Sequence, residues 1–236
     1  TRDVEWADFG SGRGTAIGWL KLDWDGNPYG ELVERWELSD DMTTWTFHFR
    51  EGVKWSDGEP FTTDDIMFAI NDVQLHPDYN PGGYRFMQAG DEYAEITQID
   101  DYTIEMEFAV PHPAFMSVLT GFRTWQQHMT LPKHYLSKWH PDYNDEAEAL
   151  AAEEGFDSWV AAFQWHSNIY SGQNDLDLPR LDPWYPVQME PTRMVYRRNP
   201  YFFKVDPEGN QLPYVDGLDY DVVSNIEVAT LNVING

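Results

Sequence analysis

The sequence contains no cysteine. This absence excludes thiol catalysis, thiolate-ligated zinc and disulfide crosslinks. It does not exclude a location outside the cytoplasm, because a chain of 236 residues can bury enough apolar surface to fold without disulfides. The sequence also lacks a P-loop and a Gly-x-Ser-x-Gly nucleophile elbow. Neither phosphate binding nor serine hydrolysis is therefore indicated, and we expect no cofactor.

Basic residues are scarce. The chain has 15 Lys and Arg against 41 Asp and Glu, which gives a formal net charge of −26. Such a surface repels phosphates, so nucleic acid is excluded as a partner and an anionic membrane surface is disfavoured. This charge is typical of a soluble protein in salty or acidic surroundings. The alternative is attraction of cationic ligands or metal ions, which net charge alone does not establish.

Long hydrophobic runs are absent, and no stretch approaches the length of a membrane span. Residues 1–19 lack the basic region and the apolar core of a secretory signal. Because the chain does not begin with Met, we expect it to be a processed protein or an excised piece of a longer one.

Apolar residues make up 42% of the chain and aromatic residues 16%, which is enough for a packed core. Aromatic residues at every second position predict a half-buried strand over residues 44–50. Turn chemistry follows at residues 56–58. Thr62 then caps a predicted helix over residues 63–74, whose first turn is acidic and so favours the positive end of the helix dipole.

Further patterns predict a mixture of strands and helices. Strands are predicted at residues 19–23, 93–99, 102–108, 194–198 and 214–223, and helices at residues 113–119, 145–154, 158–163 and 225–235. Loops are predicted at residues 10–14 and 76–90, and a linker or crossover at residues 168–186. We therefore predict an α+β (mixed α/β) fold with a mostly antiparallel sheet and helices packed on it.

Three patterns raise the question of a chemical site. Segment 23–31 resembles part of a calcium loop, but Pro28 interrupts it, so a β-turn is the better interpretation, as it is for residues 206–210. Acid pairs, as among Asp175, Asp177 and Asp182 or between Glu105 and Glu107, suggest a glycosidase, but chance pairing is expected among 41 acids. The seven histidines form no HxxxH or HExxH pattern, so no metal site is indicated.

Residues 36–65 carry a longer pattern. It resembles the signature of the family 5 extracellular solute-binding proteins, the dipeptide and oligopeptide receptors of ABC importers. The matching residues are Trp36, Ser39, Asp40, Asp41, Trp45, Thr46, Phe47, Arg50, Gly52, Val53, Lys54, Trp55, Asp57, Gly58, Pro60, Phe61, Thr62 and Asp65. Shorter matches at residues 99–104, 111–115, 131–136, 198–202 and 212–216 extend the resemblance from about residue 20 to residue 225. Physically the signature describes a strand, a turn and a helix cap, so it identifies a scaffold rather than a binding site.

The resemblance implies a fragment of a type II periplasmic-binding-protein-like fold. Residues 1–20 would be a remnant of the first lobe, residues 21–178 an inserted second domain, and residues 179–236 the returning strands of the first lobe. Members of the family are longer and have a third, ligand-binding domain. That domain would be absent here, so none of the family's residues that bind peptide termini can be carried over.

The resemblance also implies a function. We expect a non-enzymatic, monomeric receptor that captures peptides or oligopeptides and delivers them to ABC permease subunits. Its location would be periplasmic or extracellular, either free or anchored as a lipoprotein. One departure concerns the ligand: residues 180–186 replace the Gly-Thr-Gly-Pro segment of many members by a Trp-containing version. A branch with such a version includes receptors for β-linked oligosaccharides, so a β-oligosaccharide receptor is the alternative, and a Trp-rich carbohydrate-active enzyme is a third interpretation.

The same departure locates the candidate ligand-contacting residues. Trp184 and Tyr185 lie between two prolines in a predicted loop, where an aromatic ring can stack on a sugar or line a side-chain pocket; packing at a hinge is the alternative. Arg180 can pair with an anionic ligand group or with a nearby Asp. Trp19 is the fourth candidate. No catalytic or metal-binding residue is expected.

Overall fold

The computed structural model describes residues 17–121, 126, 128–168, 175–223, 225, 227, 230, 231 and 234. The glycine-rich residues 10–14 and much of the helix predicted at 225–235 lie outside the described residues. The strands are β1 Leu20–Leu22, β2 Pro28–Gly30, β3 Val33–Leu38, β4 Thr44–Phe49, β5 Gln88–Ala89, β6 Glu92–Tyr93, β7 Glu95–Asp100, β8 Thr103–Glu107, β9 Trp184–Glu190, β10 Arg193–Arg198 and β11 Gly217–Asp221. The helices are α1 Thr63–Met67, α2 Phe115–Gly121, α3 Lys133–Leu136, α4 Ala147–Glu153 and α5 Trp159–His166, with a π-helix at Phe68–Gln74 and 3₁₀ helices at Arg85–Met87 and Ser137–Trp139.

Four antiparallel strands form the central sheet in the order β3-β4-β8-β7. The predicted alternation of β4 is confirmed, since Trp45, Phe47 and Phe49 are buried and the side chains between them are half-buried. Ile104 and Met106 of β8 lie opposite Phe47 and Trp45. These cross-strand pairs continue the apolar face of β4 into its neighbour. The predicted hairpin of two strands around residue 101 is confirmed as β7 and β8.

The helix predicted over residues 63–74 is divided in the structure, because α1 is followed by a π-helix instead of continuing as an α-helix. Ile66 and Ile70 belong to the hydrophobic cluster beneath the central sheet, whereas Phe68 and Val73 belong to a second cluster. A regular amphipathic α-helix buries one apolar stripe. The wider π-turns accompany the burial of two faces of this segment. The sequence pattern indicated only one apolar face.

The second hydrophobic cluster is built by α3, α4 and α5 together with the π-helix. Leu136, Trp139, Ala151 and Phe163 are all buried in it. The helices predicted near residues 145–154 and 158–163 are thereby confirmed as α4 and α5. Their apolar faces are buried against each other and against the π-helix, which gives this part of the chain its own core.

Ser158, the first residue of the helix predicted at 158–163, caps α5: its Oγ accepts the N–H of Ala161 at 3.2 Å. We expect Ser158→Ala to lower the free energy of unfolding by about 1 kcal/mol, because the amide loses its acceptor at the helix start. Urea denaturation measures this change. Ser158→Asn retains a capping acceptor and should restore most of the stability. A loss as large in Ser158→Asn as in Ser158→Ala would contradict the capping role.

A second antiparallel sheet has the order β11-β10-β9. The strands predicted at residues 194–198 and 214–223 are confirmed as β10 and a shorter β11. The predicted linker is wrong at its end, because Trp184 already begins β9 and pairs with β10. Pro186 is tolerated within β9 because, among the described residues, this strand pairs only with β10, and a residue without an N–H fits an edge strand.

The first hydrophobic cluster includes residues from each of the three predicted segments. Ile17 and Leu20 belong to it together with Phe47 of the central sheet and with Leu181 and Phe202. The segments therefore share a core, and their division into a lobe remnant, an inserted domain and returning strands stays a prediction. The helices and antiparallel sheets confirm the α+β class. Among the described residues, none of the helices combines the length and apolar character needed to cross a bilayer.

Candidate functional site

Trp19 lies in the core. Its side chain is fully buried, and its Nε1 donates a hydrogen bond to Thr130 Oγ1 at 2.8 Å. Its ring meets Phe49 edge to face, with 5.1 Å between centroids. A fully buried ring offers no surface to a solute, so this one of the four candidate residues acts here as a core residue.

Glu31 is a buried carboxylate close to Trp19. It accepts the N–H of Gly18 at 3.0 Å and forms ion pairs with Lys21, at 2.7 Å, and with Lys204. Two cations and an amide offset the cost of burying this charge. Glu31, which lies in the segment that resembled a calcium loop, thus connects the residues before β1 to the segment that follows β10. No local pattern announces this role, because Lys204 is far away along the chain.

The two acidic turns are confirmed as turns. The Asp23 carboxylate accepts the backbone N–H groups of Asp25 at 2.9 Å and Asn27 at 2.8 Å. Asp206 makes the same pattern within residues 206–210. In each turn the first Asp satisfies backbone donors of its own loop, as aspartates do in Asx turns.

Arg180 is buried where the chain approaches β9. Its backbone N–H donates to Ser56 Oγ at 3.0 Å, and its carbonyl accepts the N–H of Ser56 at 2.9 Å. The amide of Asn199 donates to the carbonyl of Asp182 at 3.0 Å. These bonds hold the segment before β9 on the turn of the signature region. Burial lowers the pKa of the Arg180 guanidinium, and the negative charge of Asp182 opposes that shift. This attraction favours an Asp, rather than a ligand, as the partner of Arg180.

Asp182 is a titratable group of the same region. Sequence reasoning did not single it out as a ligand-contacting residue. Its Oδ1 accepts the N–H of Ile17 at 3.1 Å. Loss of solvent raises the pKa of Asp182 to about 6, although the positive charge of Arg180 acts in the opposite direction. The carboxyl therefore changes charge in mildly acidic solution, at the junction between the first described residues and β9.

This shift predicts a pH dependence of stability. A carboxyl whose folded pKa is raised contributes stability that is fully present below its ordinary pKa of 3.8 and is lost as the pH rises through about 6. As the pH rises through this window, the wild type should therefore lose stability relative to Asp182→Asn, by at most about 3 kcal/mol. Urea denaturation at a series of pH values measures it. Asp177→Asn, at an exposed position of the same segment, is the control and should leave the profile unchanged. If the difference in unfolding free energy between the wild type and Asp182→Asn stays constant across the pH series, the raised pKa is contradicted.

Trp184 and Tyr185 begin β9, where they lie opposite Arg198 and Arg197 of β10. The Nε1 of Trp184 donates to the carbonyl of Val215 at 3.2 Å. Both side chains are half-buried, so each keeps part of its ring accessible to solvent. The structure places them on a strand instead of the predicted loop. A strand holds an aromatic side chain in a more constant direction than a loop does.

Asp175 and Asp182, two of the acids considered from the sequence, have separate structural partners. Asp175 binds His166 Nδ1 at 2.5 Å, whereas Asp182 accepts the N–H of Ile17. A glycosidase needs two carboxyl groups that face one substrate bond from opposite sides. Carboxylates occupied in different structural contacts do not favour that chemistry.

An open depression of about 1130 Å³ lies beside β4. Charged side chains, including Arg35, Arg50 and Lys54, contribute much of its lining, and it shares no lining residue with the Trp184 region. Small-molecule sites are usually concave and mostly apolar with few polar groups. The aromatic side chains at the start of β9 are therefore the better candidate surface for a solute.

The fold matches part of solved periplasmic binding proteins. A solved structure of an oligopeptide-binding protein OppA matches 92% of this chain with a TM-score of 0.80 and 33% sequence identity. The periplasmic binding protein MelB from Agrobacterium fabrum C58, solved in complex with stachyose, matches 92% of the chain with a TM-score of 0.65 and 27% identity.

The model of the bacterial extracellular solute-binding proteins, family 5 middle region, matches residues 27–236. The chain belongs to this family, as its signature predicts. The periplasmic alpha-galactoside-binding protein of Rhizobium meliloti is 32% identical over 197 residues, 83% of this chain. The chain covers 26% of that relative, and 34% and 30% of the OppA and MelB chains, so it spans about a quarter to a third of the length of these relatives.

Proposed function

We propose that this chain is part of the substrate-binding receptor of an ABC importer. The observation that carries the proposal is the match of residues 27–236 to the family 5 solute-binding proteins. The whole receptor acts in the periplasm or the extracellular space, free or held by a lipid anchor, and delivers its solute to permease subunits. It works as a monomer without catalysing a reaction: two lobes close about a hinge, and the ligand stabilises the closed state by its higher affinity for it.

As the ligand we propose an oligosaccharide. An alpha-galactoside-binding relative aligns with 83% of the chain, and a structural relative was solved with stachyose. The half-buried aromatic side chains of Trp184 and Tyr185 suit a sugar, because a pyranose face packs on an aromatic face while its hydroxyls bind polar groups. A peptide, which the resemblance first implied, is the second candidate, since the solved OppA has a TM-score of 0.80 with this chain.

A ligand titration on the full-length receptor separates the candidates. Isothermal titration calorimetry with stachyose, a cello-oligosaccharide and a mixture of short peptides should give binding with stachyose and weaker or no binding with the others. Tight peptide binding without sugar binding would overturn the oligosaccharide proposal and support the second candidate. Turnover of a chromogenic glycoside would contradict the receptor function itself.

The same titration tests the residues. We expect Trp184→Ala to weaken oligosaccharide binding by about ten-fold or more, since loss of a stacking ring removes about 1.4 kcal/mol. Trp184→Phe keeps a ring and should retain most of the affinity. Trp165→Ala removes an exposed tryptophan of α5 and is the matched control. Equal affinities for the Trp184→Ala and Trp165→Ala variants would remove Trp184 from the binding surface.

A further inference from the structure

Two histidines and an aspartate meet at the edge of the second hydrophobic cluster. One ring nitrogen each of His76 and His140 and a carboxylate oxygen of Asp142 lie within 4.8 Å of one another. The Nδ1 of His140 is 4.0 Å from Oδ2 of Asp142. His76 follows the π-helix, and His140 follows the 3₁₀ helix Ser137–Trp139. The cluster therefore joins two segments that are distant in the chain, and no histidine spacing in the sequence could reveal it.

The hydrogen bonds of His140 orient its ring for ligation. Its Nε2 lies 2.9 Å from the carbonyl oxygen of Asp72. A carbonyl only accepts, so Nε2 carries the proton and the lone pair is on Nδ1, the nitrogen that faces Asp142. That nitrogen receives only a long hydrogen bond, 3.3 Å, from the N–H of Asp142. A ring whose second nitrogen donates to a carbonyl is the usual arrangement around a bound metal ion, because the carbonyl sets the tautomer and the ring direction.

The His76 ring is less constrained. Its Nδ1 accepts the N–H of Asp78 at 3.1 Å, in an exposed contact between near neighbours. Water can replace such a contact at little cost. The His76 ring can therefore turn either nitrogen toward His140 while its backbone position stays the same.

The surroundings leave the cluster open on one side. His140 is fully buried, His76 is half-buried and Asp142 is exposed. The ring of Trp159 meets both imidazoles, at 5.1 Å from His76 and 5.0 Å from His140 between centroids. Trp159 thus packs against both rings, while the exposed Asp142 gives the cluster a side that faces solvent. The net charge of −26 raises the local concentration of cations around it.

We propose that His76, His140 and Asp142 form a binding site for a divalent transition-metal ion, with Zn²⁺ as its probe. Two imidazole nitrogens and one carboxylate oxygen suit Zn²⁺, Ni²⁺ or Cu²⁺, whereas Mg²⁺ and Ca²⁺ prefer all-oxygen sets. Three protein ligands leave the fourth position of a tetrahedral Zn²⁺ to water. The ion connects the end of the π-helix to the segment after Trp139, and so stabilises the second hydrophobic cluster. The site is independent of the ligand-contacting residues of β9.

Calorimetric titration of the chelator-treated protein with ZnCl₂, in an excess of Mg²⁺ that occupies sites made of carboxylates alone, tests the proposal. We expect one Zn²⁺ per chain, and a loss of about ten-fold or more in affinity in both His76→Ala and Asp142→Asn. His134→Ala is the matched control, because His134 forms a surface pair with Asp57 at 2.8 Å outside this cluster. Addition of Zn²⁺ should also shift the ring-nitrogen resonances of His76 and His140.

Two results would overturn the metal site. One is a wild-type protein that takes up no Zn²⁺ under these conditions. The other is an unchanged Zn²⁺ affinity in His76→Ala and Asp142→Asn. The buried His140 is left intact in both variants, and Asp142 is exposed, so the urea midpoint without Zn²⁺ should equal that of the wild type. Asp142→Asn keeps the test decisive if His76→Ala lowers that midpoint.

Discussion

Asp65→Ala is expected to lower the free energy of unfolding by roughly 4 kcal/mol, because one buried and two partly buried donors lose their shared acceptor. The Asp65 carboxylate accepts the indole N–H of Trp55 at 3.0 Å and the backbone N–H groups of Thr62 at 3.2 Å and Lys133 at 2.9 Å. Burial raises the pKa of Asp65 in spite of these bonds. The side chain therefore joins the signature turn, the start of α1 and the start of α3.

Asp64→Ala is the matched control for this prediction. Asp64 is the exposed neighbour of Asp65 and bonds only the exposed amide of Gln98 among the described contacts, at 2.8 Å. Its loss should cost less than about 1 kcal/mol. Urea midpoints at neutral pH with an unchanged m-value measure both variants. A difference between them smaller than the error of the midpoints would show that Asp65 is not the shared acceptor that the geometry indicates.

His166→Ala is expected to lower the free energy of unfolding by about 3 kcal/mol or more, since it removes a buried imidazole that bridges the buried Asp175 and the more exposed Glu154. His166 Nδ1 lies 2.5 Å from Asp175, and its Nε2 lies 2.9 Å from Glu154. Its ring stacks on Trp139 with 3.5 Å between centroids. Truncation leaves Asp175 buried with the hydroxyl of Tyr135 as its remaining side-chain donor among the described contacts.

His134→Ala is the variant to compare with His166→Ala. Its pair with Asp57 has a similar distance, 2.8 Å, but the two side chains are 30% and 38% exposed, against 9% and 8% for His166 and Asp175. An exposed pair contributes less than about 1 kcal/mol. Equal losses in the two alanine variants would mean that burial does not govern the strength of these pairs in this protein.

The His166 contact also predicts a pH dependence. Burial alone would raise the pKa of Asp175, but the hydrogen bonds from His166 and Tyr135 outweigh it and lower that pKa below 3.8. A lowered folded pKa contributes stability that is present above 3.8 and lost as the pH falls through the folded value. The difference between the wild type and His166→Ala should therefore shrink in acid. A difference that is constant or larger below pH 3.8 would contradict the lowered pKa.

The roles of Asp65 and Trp184 mark the limit of sequence reasoning here. The sequence placed Asp65 in the first turn of a helix, which is correct, but the bonds to Trp55 and Lys133 require the turn and α3 to come together in space. The prolines beside Trp184 predicted a loop, although the segment pairs with β10 as an edge strand. For Asp65 the helix position was predicted correctly and Lys133 is far away in the chain. For Trp184 the loop prediction was wrong, because pairing with β10, the next strand along the chain, decides the conformation.

The same reason explains why neither the proposed metal site nor the core position of Trp19 could be predicted from the sequence. His76 and His140 have no local spacing that brings two imidazoles onto one face. Trp19 directly precedes the short strand β1, and the packing of Phe49 and Thr130 around it decides that it is buried. By contrast, the cap of Ser158 was predictable because its acceptor and donor are three positions apart.

The sequence by itself determined the family, the alternation of β4, the two acidic turns and the cap of α5. Each of these depends on residues within a few positions of one another, where backbone geometry converts spacing directly into a face, a turn or a hydrogen bond. Only the tertiary structure decided which ionisable groups lose solvent and what they meet: Glu31 with two lysines, His166 with Asp175 and Glu154, and Asp182 with the backbone N–H of Ile17. The cost of burying a charge depends on the solvent and the partners that distant segments bring to it, and these do not exist until the chain has folded.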